Sequence, residues 1–160
     1  MKQSKSKRIV GILATIGSLA ALATTAYSAT SAQAATPSLV GTWNMSIPKT
    51  ATSPETNETM QTFFADGNYL ETNNNSQAGS TGHGVWMGSG NTYRYSFQVF
   101  TSDKQGKYNG KRIIHATIRM DSADHYTGHG VADVIDLAGK VTKGVFAADF
   151  EGKRMKMEMP

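Results

Sequence analysis

Beyond residue 35 the apolar side chains recur at every second position, and no stretch keeps a helical period for three turns. A period of two sends alternate residues to opposite faces, the pattern of a strand with one covered side. Residues 92–99 are the clearest case. Tyr93, Tyr95, Phe97 and Val99 share one face, and Thr92, Arg94, Ser96 and Gln98 share the other. Residues 111–120 repeat the pattern, with Ile114, Ala116, Ile118 and Met120 opposed to Lys111, His115, Thr117 and Arg119. Turn formers punctuate these runs: Asp66-Gly67, Ser89-Gly90-Asn91, Asn109-Gly110, Asp121 to Asp124, and Ala138-Gly139. The pattern predicts strands near 39–47, 57–65, 68–73, 82–88, 91–101, 111–120, 124–136 and 140–158. Eight short strands joined mostly by tight turns describe an all-β, antiparallel, up-and-down meander. Closing it into a single eight-stranded β-barrel removes both exposed edges. Two longer connections, 48–56 with Pro48 and Pro54 and 73–81 with its asparagines, are expected at the surface.

The first 34 residues follow another rule. Residues 2–8 are basic, and Ile9 to Ala23 is apolar apart from Gly11, Thr15, Gly17 and Ser18. A polar stretch of small residues then ends in Ala32-Gln33-Ala34. A charged head, a short apolar middle and Ala-x-Ala form the signature of a secretory signal peptide. Cleavage after Ala34 leaves residues 35–160 as the barrel domain, exported to the periplasm or the medium. The apolar run is shorter than the ~20 residues of a membrane-spanning helix, so no integral membrane segment is expected after cleavage.

Composition narrows the function. The chain has no cysteine, which excludes disulfides, thiol nucleophiles and Cys-ligated metals. The formal charge of +4 comes entirely from Lys2, Lys5, Lys7 and Arg8. The remaining 12 basic and 12 acidic residues cancel, so nucleic acid is not an expected partner.

Gly41-Thr42-Trp43 opens the first predicted strand, and Arg154 lies in the last one. This pairing resembles the calycin superfamily, whose lipocalin-like barrels open on Gly-x-Trp and pack a last-strand arginine across the tryptophan. Gly84-Val85-Trp86, the aromatic strand after it and Gly152-Lys153-Arg154 are also similar to small exported bacterial lipocalin-like proteins of unassigned function. The resemblance spans residues 39–158. It implies that Gly41, Trp43 and Arg154 close one end of the barrel. The sequence is shorter than that of a true lipocalin, and no C-terminal helix is expected after the barrel.

Thr81-Gly82-His83-Gly84-Val85 recurs as Thr127-Gly128-His129-Gly130-Val131. The glycines either let a ligand approach the backbone beside each histidine, or relieve crowding where strands bend. His83, close to Trp86, is the better ligand-binding candidate of the two. His125 and His129 are four apart, about 13 Å along a strand, too far to share one ion. Met155, Met157 and Met159 alternate with charged residues; such a stripe fits a strand's inward face, and its thioethers would also suit Cu(I). Core filling is the expected role, and neither a metal nor a cofactor is expected. The carboxylates are scattered: Asp133 and Asp136 fall on opposite faces, while Asp149 and Glu151 share one without a nucleophile nearby.

Three functions stay open. The first is an exported barrel that binds a small apolar or amphipathic molecule in its interior, against Trp86, Tyr93, Tyr95, Phe97, His83 and Phe146. The second is a barrel enzyme of the allene oxide cyclase-like kind, a cyclase or isomerase that works by shape. The third is a filled barrel acting as an interaction or inhibitor module. A homodimer is compatible with each.

Overall fold

The computed structural model describes residues 38–49, 57–74 and 80–158. The leader, residues 50–56 and 75–79 of the long connections, and Met159 lie outside the described residues. Eight strands form where the alternation places them: β1 (Gly41–Ile47), β2 (Asn57–Phe63), β3 (Asn68–Asn73), β4 (Gly82–Ser89), β5 (Thr92–Ser102), β6 (Tyr108–Met120), β7 (His125–Ile135) and β8 (Val141–Arg154). Each pairs antiparallel with its neighbours in sequence, and β8 returns to β1, so the barrel is closed. No described helix is long and apolar enough to cross a membrane.

Two boundaries differ from expectation. The β5–β6 hairpin does not turn at Asn109-Gly110. Pairing continues through an irregularity that sets Thr101 against Gly110 but Ser102 against Tyr108. The turn lies at residues 103–107, where the Asp103 carboxylate accepts the backbone N–H groups of Gln105 and Lys107. Asn109-Gly110 marks a bulge. At the other boundary β8 ends at Arg154, and one further bond, from the Met155 N–H to the Thr42 carbonyl, continues its pairing with β1. Met155 is exposed and Met157 is 88% exposed, so neither fills the core. Alternation with charges is no mark of burial once the strand has ended.

The inward register is the one the sequence sets out. Tyr93, Tyr95, Phe97, Val99, Ala116, Ile118 and Met120 are buried, together with Trp43, Met45, Phe63, Tyr69, Tyr126 and Phe150. One end of the barrel, at the start of β1, is shut by a clasp. The Arg154 guanidinium lies 4.2 Å from the Trp43 ring centroid. It donates to the carbonyls of Ser38, Val40 and Ala123. The indole N–H of Trp43 donates to Leu39 O at 2.9 Å. Gly41 makes this possible: its φ is +133°, and a Cβ there would lie 2.5 Å from Arg154 Nη1.

The other end is ragged. Strands β1–β4 have 6–8 residues, whereas β5–β8 have 11–14. The surplus projects as two hairpins. A bulge between Ala132 and Val134 bends the second one. It is pinned by the Asp133 carboxylate, which accepts from Lys143 Nζ and from the N–H of Gly144, both at 2.9 Å. These bonds hold the Asp133 carboxyl below its ordinary range.

The clasp generates a stability prediction. Trp43→Ala should cost ~3–5 kcal/mol, as truncating a buried aromatic does. Arg154→Ala should cost less, and urea unfolding of the double mutant should reveal a coupling of ~0.5–2 kcal/mol. Purely additive losses would show that the two residues do not act together.

Candidate functional site

The interior is built by fitting rings onto glycines. From the closed end upward the aromatic side chains touch one another: Trp43 and Tyr126 at 4.9 Å between centroids, Phe63 and Tyr69 at 4.9 Å, Tyr69 and Tyr95 at 4.9 Å, and Tyr69 and Phe97 at 5.1 Å. The two sequence repeats supply the slots. A Cβ on Gly82 would come within 2.7 Å of Phe97, one on Gly84 would overlap the same residue, and one on Gly128 would overlap the Phe150 ring. Gly152 makes room for Tyr126 in the same way. The glycines therefore relieve crowding beneath rings rather than at bends.

This arrangement sorts the candidate residues. Tyr93, Tyr95 and Phe97 face inward and are buried. Trp86 also faces inward, opposite Tyr95. Its ring packs 5.7 Å from Tyr93 and its N–H donates to Phe64 O, which seats it near the closed end. His83 is a correction. It stands between two inward glycines and so points to solvent from the outer wall. His129 does the same, with Nδ1 2.7 Å from Asp149. Phe146 shares the inward register of Ala148 and Phe150 but sits so near the rim that it is 52% exposed, under the Arg112 guanidinium at 5.0 Å. Among the described residues no three His, Asp or Glu side chains converge as a metal site would require.

A polar cluster inside the barrel was not among the candidates. Gln61 is fully buried, accepts from the Tyr126 hydroxyl at 2.5 Å and donates to the Tyr95 hydroxyl at 3.4 Å. The Tyr69 hydroxyl is buried with no hydrogen-bond partner among the described residues. Beside it stands Glu71, 5% exposed, paired across the sheet with Gln61 and Gly82. Its carboxyl packs over Gly82 next to Phe97 and is hydrogen-bonded to Asn73. No cation among the described residues pairs with it. Burial raises the Glu71 carboxyl to about 7, against a weaker opposing pull from Asn73. Burial also pushes the hydroxyls of Tyr69, Tyr95 and Tyr126 upward, and the nearby Glu71 charge adds to this. The phenols stay neutral, and Glu71 is the group in this cluster that changes charge near neutrality.

Strand parity held the signal for this cluster. Counting by twos from Phe63 brings Gln61 and Thr59 inside, and from Tyr69 it brings Glu71 inside. In Asn57–Phe63 the one apolar side chain before Phe63, that of Met60, is on the outside and exposed.

The described residues form concavities on the barrel wall. One, about 490 Å³, lies on the outer wall against Thr117, Arg119, Thr127, His129 and Asp149. Another, about 560 Å³, wraps the strand ends of β1–β3. Outward side chains such as Glu58, Met60 and Lys153 line part of it, and Met45, Thr59 and Asn73 of the inward register line the rest. Asn73 is the residue that holds the Glu71 carboxyl, so this concavity reaches the edge of the buried cluster.

Glu71 should leave a mark on stability. Its folded value of about 7 exceeds the ordinary 4.5, so the folded chain binds the extra proton. The stability contributed by Glu71 is then fully present below 4.5 and is lost as pH rises through the window up to about 7. The loss is about 3 kcal/mol. Urea unfolding of the parent and of Glu71→Gln at several pH values isolates the effect, since the variant should lose this slope. A parallel slope in both proteins would show that Glu71 titrates normally.

No protein-family model, curated protein or solved structure matches this chain. The residues inside the barrel therefore carry the functional reading by themselves.

Proposed function

We propose that the protein binds a small amphipathic molecule at the open end of the barrel, with a cationic head such as an amine. The head sits against Asn73 and Glu71, and the apolar body runs along the inward side chains nearer the rim, Ile47, Ile114 and Phe146. The observation that carries this reading is the buried carboxyl of Glu71, which no cation among the described residues accompanies. An ionised carboxylate in such surroundings is costly unless a counter-charge joins it. An ammonium head supplies that charge and hydrogen bonds of the charge-assisted kind. The concavity of about 560 Å³ over the ends of β1–β3 is lined mainly by outward side chains and reaches the cluster at Asn73, which gives the head an approach from solvent to the carboxyl.

Two finer assignments belong with this reading. The contact of Arg154 with Trp43 over Gly41 supports membership of the calycin superfamily. The basic head, apolar run and Ala-x-Ala of the leader support export. A second function draws on the same carboxyl. An acid that titrates near neutrality beside phenols suits a general base in an isomerase or cyclase. The ring-filled lower half supports the third reading, a barrel that works through its outer surface.

Calorimetric titration tests the proposal with dodecylamine against dodecanoate. The amine should bind, more tightly as pH rises through about 7. Glu71→Gln should weaken it by about 10- to 100-fold. Arg94→Ala and Gln98→Ala, on the outer wall, should leave it unchanged. Preference for dodecanoate, or indifference to Glu71→Gln, would overturn the assignment. Both tryptophans lie toward the closed end, so heat is a better readout here than their fluorescence.

A further inference from the structure

The surplus length of β5–β8 forms a single structure. Its two hairpins are themselves paired, Lys111 with Ile135 and Arg112 with Val134, and together they extend past the rim as an apron. Bulky apolar side chains stand out from it. Phe100 is 56% exposed and Leu137 66%, and Tyr108 and Val141 are exposed as well. Phe100 and Tyr108 meet edge to face at 5.8 Å, with Lys111 Nζ 5.4 Å from the Phe100 centroid.

Charge on the apron is one-sided. Residues 102–112 and 135–145 carry Lys104, Lys107, Lys111, Arg112, Lys140 and Lys143 against Asp103 and Asp136 alone, a net +4. Asp133, paired with Lys143, lowers this to +3. Asp103 and Asp136 are also occupied, each accepting two backbone N–H groups of its own turn. Yet residues 35–160 as a whole are neutral. Arg112 covers the Phe146 ring at the rim, and the five lysines stand at this same end, on the hairpins that expose apolar side chains.

We propose that the apron docks the barrel on the surface of an anionic lipid bilayer. Leu137, Val141, Phe100 and Tyr108 enter the headgroup region, and the lysines meet the lipid phosphates. A surface that combines exposed apolar bulk with flanking cations gains from both burial and electrostatic attraction there. Lysine stems can lie along the apolar tips while their ammonium groups stay in water. A second copy of the chain is a poorer occupant, because a two-fold interface would set basic tip against basic tip. Nucleic acid would use the cations but leave the apolar tips in water. Docking does not depend on what the barrel holds, though it would turn the open end toward a source of amphipathic molecules.

Vesicle co-sedimentation of the protein purified from the cells that make it tests the proposal. Vesicles of phosphatidylcholine alone are compared with vesicles containing about a third phosphatidylglycerol. Binding to the anionic vesicles should be at least about tenfold stronger and should weaken with added salt. Lys104→Glu combined with Lys107→Glu should lower it by about tenfold or more. Leu137→Asp should also lower it. Arg94→Glu, on the outer wall away from the apron, should retain it. All these side chains are exposed, and unchanged urea midpoints would verify that each variant is folded. Absence of sedimentation, equal binding to both vesicle types, or lysine reversal without loss would overturn the proposal. So would binding to duplex DNA that Leu137→Asp leaves intact while vesicle binding is absent.

Discussion

An eight-stranded barrel encloses a narrow interior, and whatever faces inward must share that fixed width. Here the sequence sends large aromatic rings inward from nearly every strand, and they fit only because glycines stand opposite them. Gly82 and Gly84 accommodate Phe97, Gly128 accommodates Phe150, and Gly152 accommodates Tyr126. The exchange of volume is local and specific. Adding a methyl at Gly82, Gly128 or Gly152 would run into a ring already touching its neighbours, and at Gly84 it would run into the β5 backbone at Ser96 and Phe97. The same constraint explains why the repeated Thr-Gly-His-Gly-Val segments exist: each puts two glycines inside and, by alternation, one histidine outside.

Within that crowded interior the polar cluster is the exception that shapes the chemistry. Gln61 uses both ends of its amide to hold two tyrosines, which satisfies most of the buried polarity. Glu71 is left with Asn73 and a desolvated carboxyl. A barrel selected for stability alone would place an apolar residue there, since the ionised group is costly to bury. Retaining an acid at the edge of a concavity, among phenols that stay neutral, gives the interior one adjustable charge.

The wall of the barrel was more legible in the sequence than its contents. Alternation in β5 and β6 is clean because one face is covered throughout, so Tyr93, Tyr95, Phe97, Ile118 and Met120 were found inside by parity alone. Asn109-Gly110 misled because a bulge and a hairpin turn both call for glycine, and only cross-strand pairing tells them apart. His83 misled through its neighbours: Trp86 is near it in sequence, but three residues along a strand reverse the face. Glu71 was missed because its strand carries Leu70 beside it, and an apolar neighbour hides the parity of a buried acid. Phe146 has the expected register, but its distance from the rim depends on strand tilt, which periodicity does not encode.

The clasp at the closed end has a consequence for how the chain is made. Arg154 reaches back to carbonyls at Ser38 and Val40, joining the two extremes of the barrel. Contacts of such long sequence separation form late and slow the folding of β-rich chains. Until the last strand has been synthesised, β1 has no partner on one side, and the nascent sheet presents two open edges that invite pairing with other chains. A chain that ends even a few residues early, before Arg154, would keep its eight strands and most of its aromatic contacts, yet it would have lost the latch that fastens the last strand to residues 38–40.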